Sequence, residues 1–285
     1  MKPVTMWSLA LLTLAIAAGT VADRPYPHPP LTLDGYRVLA VDFHTHSAMW
    51  SDGSLTPWGL VLEAEHQGLD AIAITGHDQT FDSNVGDAFS RLVGGPIVLK
   101  GDEVLADRGF HITAAGISST IRYRRSGATA IENIHRQGGT AIVAHAFIDF
   151  WPAYDAAMMR GLDGAEICHP GIYEIPDGQE QLEQFAARAP VAAIGSSDFH
   201  GLGPMGLCRT YVFAADASEQ GILDAVRAHR TVVFGKGDRV YGDPALLPFA
   251  DRLRDRAPSS NSRGGALDWV SRVVGVAALA GLLCL

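Results

Sequence analysis

The feature that most limits how this chain can fold is a repeated pairing of a short apolar run with a polar cluster at its end. The first copy has Arg37-Val38-Leu39-Ala40 running into Val41-Asp42-Phe43-His44-Thr45-His46. Side chains alternate along a strand, so His44 and His46 face one side. With Asp52 in the following Ser51-Asp52-Gly53, they make half of a divalent-metal site. Further copies supply more candidates. Asp70 to Thr75 leads to Gly76-His77-Asp78, and Pro96 to Lys100 leads to Gly101-Asp102-Glu103-Val104. His111 lies in the run from Gly109 to Gly116, Ala141 to Ala144 delivers His145, and Leu162 to Cys168 delivers His169. Val191 to Gly195 then delivers Ser196-Ser197-Asp198-Phe199-His200.

Helices are expected between these runs. Thr56 is placed to cap a helix that opens at Pro57 and stops at Gly68. Others are predicted over Val85 to Leu92, Thr129 to Gln137, Gln179 to Arg188 and Ser218 to Ala228, with a last strand over Thr210 to Phe213. Alternating strands and helices, with the special residues after strands, predict an α/β fold: a parallel barrel with its site at the strands' C-terminal face. An open doubly wound sheet would collect ligands at one switch point instead. His28, His66, His135 and His229 read as solvated or helix-end residues.

A chain of 285 residues with 47% hydrophobic content can bury one large core. Its formal charge of −9 disfavours nonspecific binding to nucleic acid or an anionic membrane, both of which rely on clustered Lys and Arg. Cys284 lies in the terminal tail, leaving Cys168 and Cys208 either as a bridge in an oxidising compartment or as two buried thiols.

The ends are read apart from the core. Lys2, the apolar run from Ser8 to Ala18 and Thr20-Val21-Ala22 have the form of a secretory signal peptide over residues 1–22, the alternative being a retained anchor. A Pro-rich lead over 23–35 precedes a catalytic domain over 36–245 and a polar linker over 246–265. Residues 266–285 form an apolar tail, read as a short anchor or a processed segment. The expected location is therefore exported, periplasmic or extracellular, with membrane attachment through the tail as a further option.

Taken together, His44-Thr45-His46, Ser51-Asp52-Gly53, Gly76-His77-Asp78, Gly101-Asp102-Glu103, His111, His145 and Ser197-Asp198-Phe199-His200 resemble the PHP superfamily of polymerase and histidinol phosphatase domains, over roughly residues 36 to 240. Gly-Asp-Glu-Val, Gly-Phe-His and the signal peptide look most like its exported branch, which includes carbaryl (carbamate ester) hydrolases. The resemblance implies a distorted (β/α)7 barrel holding two to three divalent ions, zinc, manganese or iron. His44, His46, Glu103 and Asp198 would bind the first. Glu103 would bridge to a second with His111 and His145, and Asp52, His77 and His200 would bind a third. The family commonly has proline after its fourth-motif histidine, where this chain has His145-Ala146 and, one strand later, His169-Pro170. The run from Leu162 to Ile167 favours His145, leaving His169 behind the ligands or facing substrate.

The activity expected is hydrolysis of a small-molecule phosphate ester by a hydroxide bridging two ions, with Glu103 and Asp198 as catalytic residues. Arg209, Lys100 and Arg108 are candidates to clamp the phosphate. The alternative is a carboxyl-ester, carbamate or amide hydrolase using the same metal site.

Overall fold

A computed structural model describes residues 3–22, 29–122, 124–172, 175–188, 190–201, 205–254, 256 and 266–283. The chain divides into two units, Met1–Pro27 with Arg256–Leu285, and His28–Asp255. It opens with α1 (Pro3–Ala22) and the short β1 (Leu31–Leu33). β2 (Tyr36–Thr45), α2 (Pro57–His66), β3 (Ala71–Ile74) and α3 (Phe81–Val93) then alternate. A hairpin of β4 (Ile97–Leu105) and β5 (His111–Ala115) is followed by α4 (Gly127–Arg136), β6 (Thr140–Val143), α5 (Ala156–Gly161), β7 (Gly164–Cys168), α6 (Gly178–Ala186) and β8 (Ala192–Gly195). β9 (Thr210–Ala214), α7 (Glu219–Arg227), β10 (Thr231–Phe234), β11 (Val240–Gly242), α8 (Ala250–Arg254) and α9 (Ala266–Leu283) complete it.

The strands of the larger unit form one sheet in the order β11-β10-β9-β2-β3-β4-β5-β6-β7-β8, with β1 added on β2. It curls into a nearly closed barrel, as expected for an α/β barrel of this type. Thr210 Oγ1 closes the gap between β8 and β9 by accepting the Gly195 N–H at 2.8 Å and donating to the Gly195 carbonyl at 2.9 Å. The disulfide Cys168–Cys208 ties the end of β7 to the approach to β9. One face of the sheet packs Leu39, Val41, Ala71, Ala73, Leu99 and Ile142 with Ile222 and Val226 of α7. On the other, Val38, Ala40, Ile72 and Ile74 meet Leu60, Val61 and Ala64 of α2. Runs buried on both faces are continuously apolar for that reason.

Two features depart from the expected parallel alternation. β2–β3, β3–β4, β6–β7 and β7–β8 are parallel, but β5 is antiparallel to both neighbours and β9 is antiparallel to β2. A hairpin reverses the chain after β4, so His111 reaches the site end as the first residue of its strand instead of the last. Along β2 the register with β3 slips between Asp42↔Ile72 and Thr45↔Ile74. One extra residue on β2 makes a bulge, and a bulge inverts the alternation beyond it. Thr45 therefore shares the α2-side face with Ile74, and His44 and His46 turn to the face of Val41.

The capping expectation holds at α2: Thr56 Oγ1 accepts the Gly59 N–H at 3.1 Å, with Pro57 in the first turn. α3 begins four residues before the predicted Val85, where the Gln79 side chain accepts the Phe81 and Asp82 N–H groups. Two segments read as non-core carry structure in the larger unit. β1 lies within the Pro-rich lead and pairs with β2, and α8 lies within the polar linker and buries Leu253. The cleavage site before Asp23 and the Ser-rich part of the linker lie outside the described residues.

In the smaller unit α1 and α9 pack through small residues. Ser8, Ala15, Ser271 and Ala278 are buried, and a Cβ on Gly281 would meet Ser8 Oγ at 2.6 Å. Trp7, Leu14, Val273 and Val276 are exposed. Among the described residues, no helix is long and apolar enough to cross a membrane.

Candidate metal centre

The bulged end of β2, the β2–α2 and β3–α3 loops, the β4–β5 hairpin and the loops after β6 and β8 bring all nine residues read as metal ligands into one network. Glu103 is its hinge. Its Oε2 lies 3.3 Å from both His44 Nε2 and His46 Nε2 and 3.0 Å from His77 Nδ1. Its Oε1 lies 3.0 Å from His111 Nδ1 and 3.1 Å from His145 Nε2. Asp198 Oδ1 lies 3.3 Å from His44 Nε2 and 3.1 Å from His46 Nε2. The third group gathers on Asp52, 3.2 Å from His200 Nε2 and 3.4 Å from both His77 Nε2 and His46 Nδ1.

Burial grades across the network. The side chains of His44 and His46 are fully buried, whereas Asp52, His77 and His200 are 58%, 38% and 35% exposed. The third group is thus the open mouth. Beside it Trp50 and Phe81, both more than half exposed, meet edge to face at 4.3 Å. Phe147 stacks on His145 at 5.7 Å.

Trp50, Asp78, His145 and Asp198, none of them glycine, all have positive φ. Such backbone strain persists only where surrounding bonds fix it, and it clusters at functional sites. For His145 that bond is its N–H to Glu166 Oε2 at 2.7 Å.

Electrostatics favour a cation here. Burial alone would raise the Glu103 and Asp198 carboxyls, but the charge of His44, with His111 and His145 against Glu103 and His169 beside Asp198, outweighs it and holds both well below the usual carboxylate range. Burial would likewise strip the proton from His44. Asp198, Glu103 and Glu166 overcome that and raise it well above an ordinary imidazole. His44 Nε2, His46 Nε2 and Asp198 Oδ1 are buried and face one another with no hydrogen-bond partner among the described residues. Orphaned buried polar atoms are costly, and an ion bound between them would remove the cost. Neutral imidazoles mixed with carboxylates are the donor set of a first-row divalent metal. The residues therefore fit such ions. Sets able to hold one include His46, Asp52, His77 and His200; His44, His46 and Asp198; and His77, Glu103 and His111.

The arginine expected to clamp phosphate is engaged elsewhere. Arg209 is only 6% exposed and donates to the carbonyls of Gly206 at 2.9 Å and Gln67 at 3.1 Å, because an inward guanidinium must find acceptors. The charge of Lys100 acts on Glu219, and Arg108 reaches the Pro152 carbonyl at 3.4 Å. His169, read as substrate-facing or behind the ligands, is buried with Nε2 3.3 Å from Asp198 Oδ2. Two contributors were not among the candidates. Asp42 accepts from His44, Ser197 and Gly206 backbone groups, tying the Asp198 loop to β2, and Glu166 lies 2.9 Å from His44 Nδ1. The only sequence signal for either is an acid inside an otherwise apolar strand.

Residues 179–231 match the family described as PHP-associated. Among solved structures, a two-domain protein from Bacteroides vulgatus, described as containing a predicted PHP-like metal-dependent phosphoesterase, shares the fold. It is 24% identical with a TM-score of 0.64 over 81% of this chain and 74% of that one. A protein from Bifidobacterium adolescentis, provisionally described as a metal-dependent phosphoesterase, aligns at 22% identity and a TM-score of 0.48 over 59% of this chain and 91% of that one. A lesion-specific endonuclease from Pyrococcus furiosus aligns at 12% identity and a TM-score of 0.47 over 78% of this chain and 72% of that one. No curated protein sequence matches the chain. The fold and site together define a PHP-like α/β barrel with a histidine and carboxylate centre able to hold metal.

Proposed function

We propose that this protein is an exported metal-dependent hydrolase of phosphate esters. The observation that carries the reading is the convergence of His44 Nε2, His46 Nε2 and Asp198 Oδ1, buried and unpartnered, on the Glu103 carboxylate that joins two sets of histidines. His44, His46, Glu103 and Asp198 would hold one ion; Glu103, His111 and His145 a second; Asp52, His77 and His200 a third. Zinc, manganese and iron all suit this set. When bound, such ions supply an acidified water and positive charge for the developing oxyanions of ester hydrolysis. The chain's own contribution is to hold donors and substrate in place. Asp198, held ionised, keeps one oxygen toward the histidines and is the group placed to accept a hydrogen bond from the attacking water, and the exposed Asp52 side marks where substrate enters.

A carbonyl reading has its own support, because Arg209 and Arg108 have other partners and a carboxyl ester, carbamate or amide needs no basic clamp. It belongs with the carbamate-hydrolysing exported branch the sequence resembles. Export is supported by the apolar N-terminal helix and by the disulfide, which persists in oxidising compartments.

The test is elemental analysis of the purified protein paired with turnover of an aryl phosphate, a phosphodiester including a DNA strand, an aryl acetate and an aryl carbamate. Bound metal with phosphate-ester turnover, both lost in His44→Ala and Glu103→Ala, is the expected result. Faster turnover of the acetate or carbamate would transfer the site to the carbonyl reading. Metal content and turnover intact in both variants would refute the site.

A further inference from the structure

Glu166, on β7, has no exposed side-chain surface and makes two contacts to different parts of the centre. Its Oε1 lies 2.9 Å from His44 Nδ1, and its Oε2 accepts the His145 N–H at 2.7 Å. A carboxylate only accepts, so His44 carries a proton on Nδ1 and presents Nε2 to whatever cation occupies the centre. Three residues further on, His169 Nδ1 accepts the Gly171 N–H at 3.2 Å. A neutral imidazole has one N–H, so with Nδ1 accepting, the proton of His169 sits on Nε2. That nitrogen is buried and makes no formed hydrogen bond among the described residues; its nearest acceptors are Asp198 Oδ2 at 3.3 Å and Glu166 Oε2 at 3.9 Å. The other oxygen of Asp198 is the one directed at His44 and His46.

We infer that Glu166 and His169 are positioning residues forming a hydrogen-bonded layer behind the metal centre, and that His169 is a donor to Asp198 and not a metal ligand. The inference rests on the reading of the centre as a metal site. Glu166 aims the His44 ring and pins the strained backbone of His145, so it orders one donor from each of the two ion sites that share Glu103. His169 holds Asp198 Oδ2 and leaves Oδ1 free, so it acts on one site only. His44, Glu166 and His169 also have the spacing to hold an ion themselves. Hydrogen bonds already join Glu166 to His44 and His169 to Gly171, which makes the trio a support and not a fourth site.

The full chain is loaded with zinc, and its affinity is measured by chelator competition. The cobalt-substituted form is followed by its visible spectrum. Partners behind a metal ligand contribute about 10–100-fold in affinity. Glu166→Gln, which keeps the size but offers one acceptor in place of two, is expected to weaken two ions by a factor in that range and to shift the cobalt spectrum. His169→Ala should weaken one ion, and His169→Gln, whose amide can still donate, should restore it without changing the number of ions bound. In the metal-free protein, long-range proton–nitrogen NMR should find the Nε2–H tautomer of neutral His169. An Nδ1–H tautomer, unchanged zinc affinity in folded Glu166→Gln, or loss of a whole ion in His169→Gln would overturn the inference. Wild-type protein that binds zinc but prefers a carbonyl ester would refute the phosphate reading and leave this layer standing. Wild-type protein that binds none of these metals would refute both.

Discussion

Asp102 and Glu103 are neighbours on β4 with opposite fates. Glu103 faces the histidines and is held ionised by them, while Asp102 faces the other way, accepts the Ile121 N–H at 2.9 Å and is pushed up to about 8 by burial. Strand alternation separates the two roles in the structure, whereas in the sequence Glu103 was singled out only by the family resemblance of its motif. The same reasoning could not reach Asp42. Nothing local distinguishes an acid between Val41 and Phe43 until Ser197 and Gly206, far along the chain, are folded onto it. Asp42 is fully buried and accepts the Ser197 N–H at 3.0 Å, the Gly206 N–H at 2.8 Å, the His44 N–H at 3.3 Å and the Ser197 hydroxyl. Asp42→Ala would leave those buried donors without an acceptor, at a cost of about 3 kcal/mol or more. It would also release the loop that positions Asp198 and His200. Urea unfolding should show the lost stability and elemental analysis a lower metal content; full metal content in the variant would mean that the loop is held by other bonds.

Helices were legible where caps and period coincide, as at Thr56-Pro57, because those signals are local. Strand direction and register were not. The reversal of β5 depends on a hairpin between two runs that each look like ordinary barrel strands, and the β2 bulge is visible only against β3. The bulge has a consequence for the site: under plain alternation His44 and His46 would share the face of Val38 and Ala40, against α2. The disulfide was left open by the sequence for a related reason, since two cysteines 40 residues apart meet only if β7 and β9 come to the same edge. Closing a loop of that length removes unfolded-state entropy worth about 4 kcal/mol in the chain-entropy account. Replacing Cys168 and Cys208 together by Ser should lower stability by about 2–4 kcal/mol, read as a lower denaturant midpoint. An unchanged midpoint would mean that Thr210 and the apolar contacts of Val233 close the barrel unaided.

At the scale of the whole molecule, the division into two units bears on which residues carry the activity. The apolar clusters that support the barrel draw on residues from Leu31 to Leu253, all within His28–Asp255. The two ends of that span were read from sequence as lead and linker because Pro and charged residues dominate there. Their few apolar side chains, Leu33 and Leu253 among them, are nonetheless buried in the core. A chain cut to 36–245 would therefore lose β1 and α8 and uncover apolar surface, whereas one cut to 28–255 would keep both. The longer fragment is expected to unfold within about 3 °C of the full chain and to bind the same number of ions, because a difference of that size corresponds to about 1 kcal/mol in a domain of this length. The shorter one is expected to unfold at a lower temperature. Calorimetry and elemental analysis of the two fragments check this directly. If 28–255 lost metal or stability, the helices at the chain ends would have to be counted as part of the catalytic fold.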